Sequence, residues 1–302
     1  MYDIIIVGGG PAGLTAAVYC LRAGKNVLVV EKNGFGGQIA YSPKVENIPG
    51  FQMISGAEFA DKLTEQAMAL GAEVELEKVV RVEKKDGIFY VSTEEGSTFE
   101  GKAVILALGV KHRTLGLPGE EELIGNGISF CAVCDGAFYA GQEVAMIGGG
   151  NSALQEALLL SEVCTKVTVV QNLAGFTGEK KLADALMEKE NVTAIFNTVV
   201  SGYKTEKGAL SGLQLHNDAT GEETEIKVDG AFLAVGLMPE NEPFAELAKL
   251  NDWGYFDSGE DCCTETEGIF VAGDCRSKRI RQVVTAAGDG AIAAMSACRY
   301  LD

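Results

Sequence analysis

The chain has 302 residues, 47% of them hydrophobic, and a formal net charge of −18. That length predicts two domains, and that charge excludes a general surface for nucleic acid or anionic lipid. No apolar run approaches the roughly 20 residues of a membrane-spanning helix. No basic segment or cleavage site precedes the buried strand that opens the chain, so no signal peptide is read and the cytoplasm is the expected location.

Chain order predicts a strand over 3–7, the turn "GGGPAG", a helix over 12–23 and a strand over 26–30. Gly8, Gly10 and Gly13 form a GxGxxG pattern, and Glu31 follows at the end of the second strand. Strand, glycine turn, helix and acid together are the dinucleotide fingerprint. The glycines let the backbone approach a pyrophosphate, which then rests on the helix N-terminus. An amphipathic helix over 56–70 comes next, then an alternating antiparallel insert over 79–101 and a buried strand ending at Gly109. "KHRTLGLPG" reads as a linker.

A second unit repeats the design: a strand over 143–147, the turn "GGGNSA", a helix to about 163 and a strand over 166–170. A helix over 179–189, further strands and a buried strand ending at Gly236 complete it, and "LMPENEP" reads as the return linker. The last segment predicts a strand, a loop at Gly273–Asp274 and a long small-residue helix that rejoins the first domain. The expected fold is α/β, with two Rossmann-like dinucleotide-binding domains of the FAD/NAD(P) type in three layers (ββα). One domain spans 1–113 and 243–302, and the other, inserted into it, spans 114–242.

There are eight cysteines, and Cys20, Cys164 and Cys298 lie on apolar helical stretches as buried free thiols. Cys262, Cys263 and Cys275 carry no evident role. Only "CAVC", Cys131 to Cys134, has a spacing that carries chemistry. At a helix start, CxxC lets one thiolate face free N–H groups, which lowers its pKa, while the other thiol resolves the exchange. The alternative is a zinc half-site, which needs a second close pair or nearby histidines. The chain offers only the adjacent Cys262–Cys263 and two histidines, His112 and His216.

"GGGPAG", "GGQIA", "VENIPG", "CAVCDG", "GGGNSA", "VAGDC" and "RQVVTAAGDGAIAA" occur in that order. Over nearly its full length the chain resembles the low-molecular-weight thioredoxin reductases. The resemblance implies FAD in the first domain, a redox disulfide in the second, thioredoxin as electron acceptor, a homodimer and no resident metal. It assigns Gly8, Gly10, Pro11, Ala12 and Gly13 to the FAD pyrophosphate and Glu31 to the adenosine ribose. Gly37, Gln38, Asn47 and Val80 fall at the cofactor, as do Gly273 and Asp274. Asp274 would bond a sugar or ribityl hydroxyl, and Arg281, Gln282 and Val283 would approach the ring. Gln38 and Asn47 are equally readable as satisfied loop residues. Within CxxC the resemblance gives Cys134 to the flavin and Cys131 to exchange, with Asp135 protonating the departing thiolate. A helix-capping role for Asp135 is compatible with that.

The chain departs from the pattern after the strand at 166–170. NADPH-dependent members carry a His-Arg-Arg run there and a further arginine, which hold the 2′-phosphate. Gln171, Asn172, Leu173 and Thr177 stand in those places. Each lost charge-assisted bond is worth about 1.5–3 kcal/mol. No acid replaces them to select NADH. "GGGNSA" also has a structural reading, since a glycine turn packs helix on strand with or without a ligand.

This pattern resembles the branch that takes electrons from ferredoxin, a one-electron iron–sulfur carrier. FAD would then convert single electrons into the pair that a disulfide needs. "CRSKRIRQ" places Arg276, Lys278, Arg279 and Arg281 beside the expected flavin site, as a basic patch that could steer an acidic donor. The other readings of that segment are contacts to FAD phosphates or a solvated loop. Two alternative functions remain at this point. One is an NAD(P)H-dependent reductase whose nucleotide is held by Lys166, Lys180 or Lys181. The other is a flavin redox sensor without turnover, against which the intact Cys131, Cys134 and Asp135 argue.

Overall fold

The computed structural model describes residues 1–42 and 45–302. The chain begins with β1 (Tyr2–Val7), α1 (Pro11–Arg22) and β2 (Val27–Glu31). It continues through α2 (Gly56–Ala69), β3 (Glu73–Leu76), β4 (Val79–Lys85), β5 (Ile88–Thr93), β6 (Thr98–Leu106) and the short β7 (Lys111–His112). Next come α3 (Glu120–Leu123), β8 (Ile128–Ser129), α4 (Ala132–Asp135), β9 (Glu143–Ile147), α5 (Asn151–Ser161), β10 (Lys166–Val170) and α6 (Lys180–Met187). After β11 (Val192–Ile195) follow β12 (Thr198–Glu206), β13 (Ala209–Asn217), β14 (Glu223–Lys227) and β15 (Gly230–Leu233). The chain closes with β16 (Leu237–Met238), β17 (Ile269–Val271) and α7 (Val283–Leu301).

Two compact units result. The first comprises Met1–Pro43, Ile48–Lys111 and Met238–Asp302, and the second Lys44–Asn47 and His112–Leu237. The chain passes between them at 111–112 and 237–238, where β7 and β16 pair. The polar linkers read from sequence extend a few residues past these points on the C-terminal side.

In the first unit, β3, β2, β1, β6 and β17 run parallel. β6 pairs with β1 along one edge and divides its other edge between two partners. Its first half, Thr98–Gly101, pairs antiparallel with β5, and its second half, Val104–Leu106, pairs parallel with β17. Side chains alternate across this sheet as the period of two requires. Ile4, Ile6, Val27, Val29, Ala103 and Ile105 face α1 and α7. Ile5, Val7, Leu28, Val30, Val104 and Leu106 face a second cluster with Phe89, Phe244 and Phe256. Near-continuous hydrophobic strands are the consequence of burial on both faces.

The second unit repeats this with a five-stranded parallel sheet in the order β11-β10-β9-β15-β8. Val144, Met146, Val167, Val169 and Phe232 pack on α5 and α6. Ala145, Ile147, Val170, Ala231 and Leu233 pack on Leu213 and Leu215 of the three-stranded sheet β12-β13-β14. Both units are therefore three-layer Rossmann-like folds. The sequence reading missed α3, a single turn whose buried Glu120 accepts from Leu115 N at 2.9 Å and Leu117 N at 3.1 Å. It also ran α5 two residues too far, since this helix ends at Ser161.

Small residues set how closely α1 and α7 approach. A Cβ on Gly290 would lie 2.1 Å from the carbonyl oxygen of Ala12, whereas one on Gly288 would meet nothing within 4 Å. Gly290→Ala should therefore destabilise the protein by about 1–3 kcal/mol through overpacking. Gly288→Ala, on the exposed side of the same helix, should stabilise it by about 0.5–1 kcal/mol through helix propensity. Urea unfolding of the two variants checks the contrast.

Candidate functional site

The glycine turn after β1 is built by close backbone approach. Gly8 has φ +111°, and a Cβ there would lie 2.3 Å from Ala107 O; on Gly13 it would lie 1.8 Å from Gly8 O. Only glycine satisfies both demands. Gly10 caps α1, and Pro11 occupies its first turn, where a missing N–H costs nothing. Ala12 and Gly13 follow in the first turn, so the positive end of the helix faces the turn. Glu31 lies at the end of β2 and accepts from Gly9 N at 2.7 Å and Asn33 N at 3.0 Å. Gly37, with φ +65°, brings its backbone against Gly10, so that a Cβ on it would sit 3.1 Å from Gly10 Cα.

Gly273 and Asp274 form a 3-10 turn after β17, packed on α1: a Cβ on Gly273 would lie 2.8 Å from Ala12 Cβ. Asp274 is largely buried, and its Oδ1 has no hydrogen-bond partner among the described residues. Burial raises its pKa, against the pull of Lys278 and Arg281. Arg281 donates to Asp274 O at 3.2 Å and lies over the Tyr255 ring at 4.2 Å. Gln282 caps α7 in a reciprocal box with Thr285, and Val283 begins the helix. The Gln38 amide donates to Val110 O within the same unit. Val80 is exposed at a bulge in β4. Asn47 groups with the second unit rather than with the first.

The basic segment differs from the sequence expectation. Arg276 is 8% exposed, and its Nη1 meets Asp289 Oδ1 at 3.1 Å. Its other nitrogens donate to Ser258 Oγ and Gly259 O. Lys278 Nζ donates to Asp289 Oδ2 at 2.8 Å, and that oxygen also accepts Gly273 N at 3.1 Å. Arg276 and Lys278 therefore do not offer a charged surface to a partner. A carboxylate on α7, hidden in the small-residue run "AAGDGAIAA", turns both inward. Their joint role is to tie α7 to the turn that presents Asp274. Arg279 remains exposed. Sequence reasoning passed over Asp289, although one acid inside a small-residue helix was a usable signal.

In the second unit Cys131 and Cys134 are joined as a disulfide. Cys131 caps α4, and Cys134 N lies 3.2 Å from Cys131 Sγ. Two further amides at this helix start are already engaged. Cys131 N donates to Ser129 Oγ at 3.1 Å, and Ala132 N donates to Glu156 Oε2 at 2.9 Å. Ser129 in turn donates to Asp135 Oδ2 at 2.5 Å, while Asp135 Oδ1 is buried without a partner among the described residues. Burial raises the Asp135 pKa, partly offset by the Ser129 bond. That shift favours the protonated carboxyl, the form that can release a proton to a leaving thiolate. Ser129 and Glu156 were not singled out from sequence; serine carries no spacing signal, and Glu156 lies in an ordinary amphipathic run.

The remaining described cysteines, apart from the half-buried Cys263, are inert by environment. Cys20, Cys164, Cys262, Cys275 and Cys298 are buried, and burial pushes the Cys164 and Cys275 thiols up to about 11. His112 is stacked on Phe130, and burial lowers its pKa to about 4. Among the described residues no cluster of three or more His, Cys, Asp or Glu could hold a metal ion.

The second glycine turn copies the first. Gly148 has φ +127°, and a Cβ there would lie 2.5 Å from Ala234 O. Gln171 takes the place of Glu31 but makes a different bond. Its buried side chain rests against Gly149 and donates to Gly175 O at 3.3 Å. Thr177 N and Gly178 N donate to Gly149 O at 2.9 and 3.0 Å. Asn172, Leu173 and Thr177 are exposed and uncharged.

Two dinucleotide units and a CxxC disulfide define the class of flavin- and nucleotide-type disulfide oxidoreductases. The model of the pyridine nucleotide-disulphide oxidoreductase family matches residues 2–290, and the chain belongs to that family. It is 42% identical to a thioredoxin reductase of Bacillus subtilis, covering 100% of this chain and 95% of that one. It is 39% identical to a 34.2 kDa protein in the rubredoxin operon of Clostridium pasteurianum, over 99% and 97% of the two chains. The crystal structure of thioredoxin reductase from Streptococcus pyogenes superposes with a TM-score of 0.93 at 38% identity, covering 100% of this chain and 98% of the other.

FAD is the cofactor of this family, and the residues of the first unit fit it. The glycine turn, the N-terminus of α1, Glu31 and the unpartnered Asp274 Oδ1 supply a phosphate cradle and two hydroxyl acceptors.

Two outcomes follow from these contacts. Asp289→Asn leaves Arg276 and Lys278 buried beside an uncharged partner, so it should cost about 3–5 kcal/mol in urea unfolding and lower FAD retention on gel filtration. Asp135→Asn removes a carboxyl that burial disfavours, so its unfolding free energy should equal or exceed wild type at pH 7. The native carboxyl binds its proton more tightly than the unfolded one, so ionisation is a penalty present above the native pKa. That penalty fades as pH falls through the native pKa, and the two proteins should converge at lower pH.

Proposed function

We propose that this chain is a thioredoxin reductase that receives electrons one at a time from a reduced iron–sulfur protein of the ferredoxin type. The observation that carries the acceptor side is the Cys131–Cys134 disulfide with Asp135 buried behind it. In the reduced enzyme, the Cys131 thiolate attacks the disulfide of thioredoxin and forms a mixed disulfide. The departing thiolate takes a proton from Asp135, which Ser129 holds in place. Cys134 then attacks Cys131 Sγ, re-forms the internal disulfide and releases the second thiol of thioredoxin. Two electrons and two protons leave with the product. FAD, when bound, accepts electrons singly or in pairs and so joins a one-electron donor to a two-electron disulfide.

The donor reading is supported by what replaces the basic residues in the second unit. Gln171 spends its amide on Gly175 O, and the residues after it present no charge to a 2′-phosphate. Two of the three lysines that could substitute are engaged elsewhere: Lys180 bonds Asp184 at 2.7 Å, and Lys166 lies 4.0 Å from Glu143. A relative 39% identical to this chain is described as a 34.2 kDa protein in a rubredoxin operon, and that description is compatible with a one-electron donor. Donor steering by the basic segment rests on Arg279, its exposed member. A homodimer and a cytoplasmic location complete the reading; among the described residues no helix is long and apolar enough to cross a membrane.

The family name keeps a second reading in view, with NADPH as donor. An anaerobic assay separates them. Reduced ferredoxin should bleach the flavin and support thioredoxin reduction, while micromolar NADH and NADPH should do neither at a useful rate. Rapid bleaching by NADPH would transfer the assignment to the second reading. Cys131→Ser and Cys134→Ser should each abolish thioredoxin reduction with FAD content unchanged, and Asp135→Asn should lower turnover by about 10²–10⁴-fold.

A further inference from the structure

Glu156 is a carboxylate at the disulfide that the exchange chemistry above does not use. It lies on α5, which packs against α4. Its Oε2 accepts the amide of Ala132 at 2.9 Å, the residue directly after Cys131. Burial raises its pKa, and the Ala132 amide opposes that shift. The one carboxyl on α4 itself is Asp135, at the far end of its single turn.

A CxxC dithiol gains its reactive thiolate from the amides at the start of its helix. Here one of those amides, on the residue directly after Cys131, is already committed to the Glu156 carboxyl. In its ionised form, a carboxyl bonded to the amide next to Cys131 disfavours a thiolate there. Reduction of the disulfide takes up two electrons and two protons to give the dithiol, or one proton fewer when Cys131 remains a thiolate. Whatever disfavours that thiolate weakens the reduced state and shifts the couple toward the disulfide.

We propose that Glu156 is a positioning residue that holds the Ala132 amide away from Cys131 and sets the Cys131–Cys134 couple to a more reducing potential than the bare motif would have. The consequence suits a donor of electrons to another protein's disulfide. A more reducing dithiol passes its electrons on more completely, and a less acidic Cys131 departs less readily from the mixed disulfide. This inference rests on Cys131 and Cys134 being a working redox couple, and it is independent of the electron donor.

Equilibration of the FAD-loaded protein with mixtures of reduced and oxidised dithiothreitol tests it, with no thioredoxin or other redox protein present. Alkylation and mass spectrometry of the peptide carrying both cysteines report the fraction reduced. Glu156→Gln keeps an oxygen for the Ala132 amide and removes the charge. It should raise the dithiol-to-disulfide ratio about tenfold at a given mixture, roughly 30 mV toward the oxidising side. The reduced variant should also react several-fold faster with iodoacetamide at pH 7. Glu156→Ala, which also frees the amide, should shift at least as far; should it fail to fold, the glutamine variant decides alone. An unmoved ratio in Glu156→Gln, or a shift toward the reducing side, overturns the inference while leaving the site intact. A wild-type couple that does not respond to dithiothreitol overturns the redox reading of the site and this inference with it.

Discussion

The structure depends on one close approach, repeated twice: a glycine after a β-strand pressed against the carbonyl of a neighbouring strand's end. Gly8 meets Ala107 O, and Gly148 meets Ala234 O, each at a distance no side chain tolerates. The turn so formed sends the chain directly from strand to helix, with the helix N-terminus at the sheet's C-terminal edge. Phosphate binding, the placement of Glu31 and the packing of α7 over α1 all follow from that geometry. The third position of the motif is less strict. Gly13 cannot carry a Cβ, but its counterpart Ala153 is accommodated beneath Gly148.

Buried carboxylates organise both functional regions, and they work in two ways. Asp289 is fully committed, since it takes Arg276, Lys278 and the Gly273 amide, and it behaves as a fixed bracket. Glu156 is similarly spoken for by Ala132. Asp135 and Asp274 each retain an oxygen with no partner among the described residues. An unsatisfied buried oxygen is costly in a folded chain, and such cost is retained where a ligand or a transferred proton meets it. Of the four such oxygens among the described residues, which also include Tyr203 Oη and Asn241 Oδ1, the two carboxyl oxygens are the ones the resemblance assigns to flavin and to thiol chemistry.

The same distinction explains why the basic segment misleads in one dimension. Four cations within six residues of an acidic chain read as a patch. Their partner is 13 residues further on for Arg276 and 11 for Lys278, on a helix that returns over the turn. Ion pairing across that return converts a surface motif into an internal strut.

The sequence by itself determined the two dinucleotide units, their nesting, the CxxC couple and the loss of charge after β10. These are local patterns: strand periodicity, glycine spacing and the residues next to them in the chain. The tertiary structure alone decided which polar groups meet. Glu156 reaches the amide after Cys131 from a helix 24 residues away, Ser129 fixes Asp135, and Asp289 captures Arg276 and Lys278. Such pairings are set by helix packing on a sheet, and packing brings together residues whose separation along the chain has no period to read.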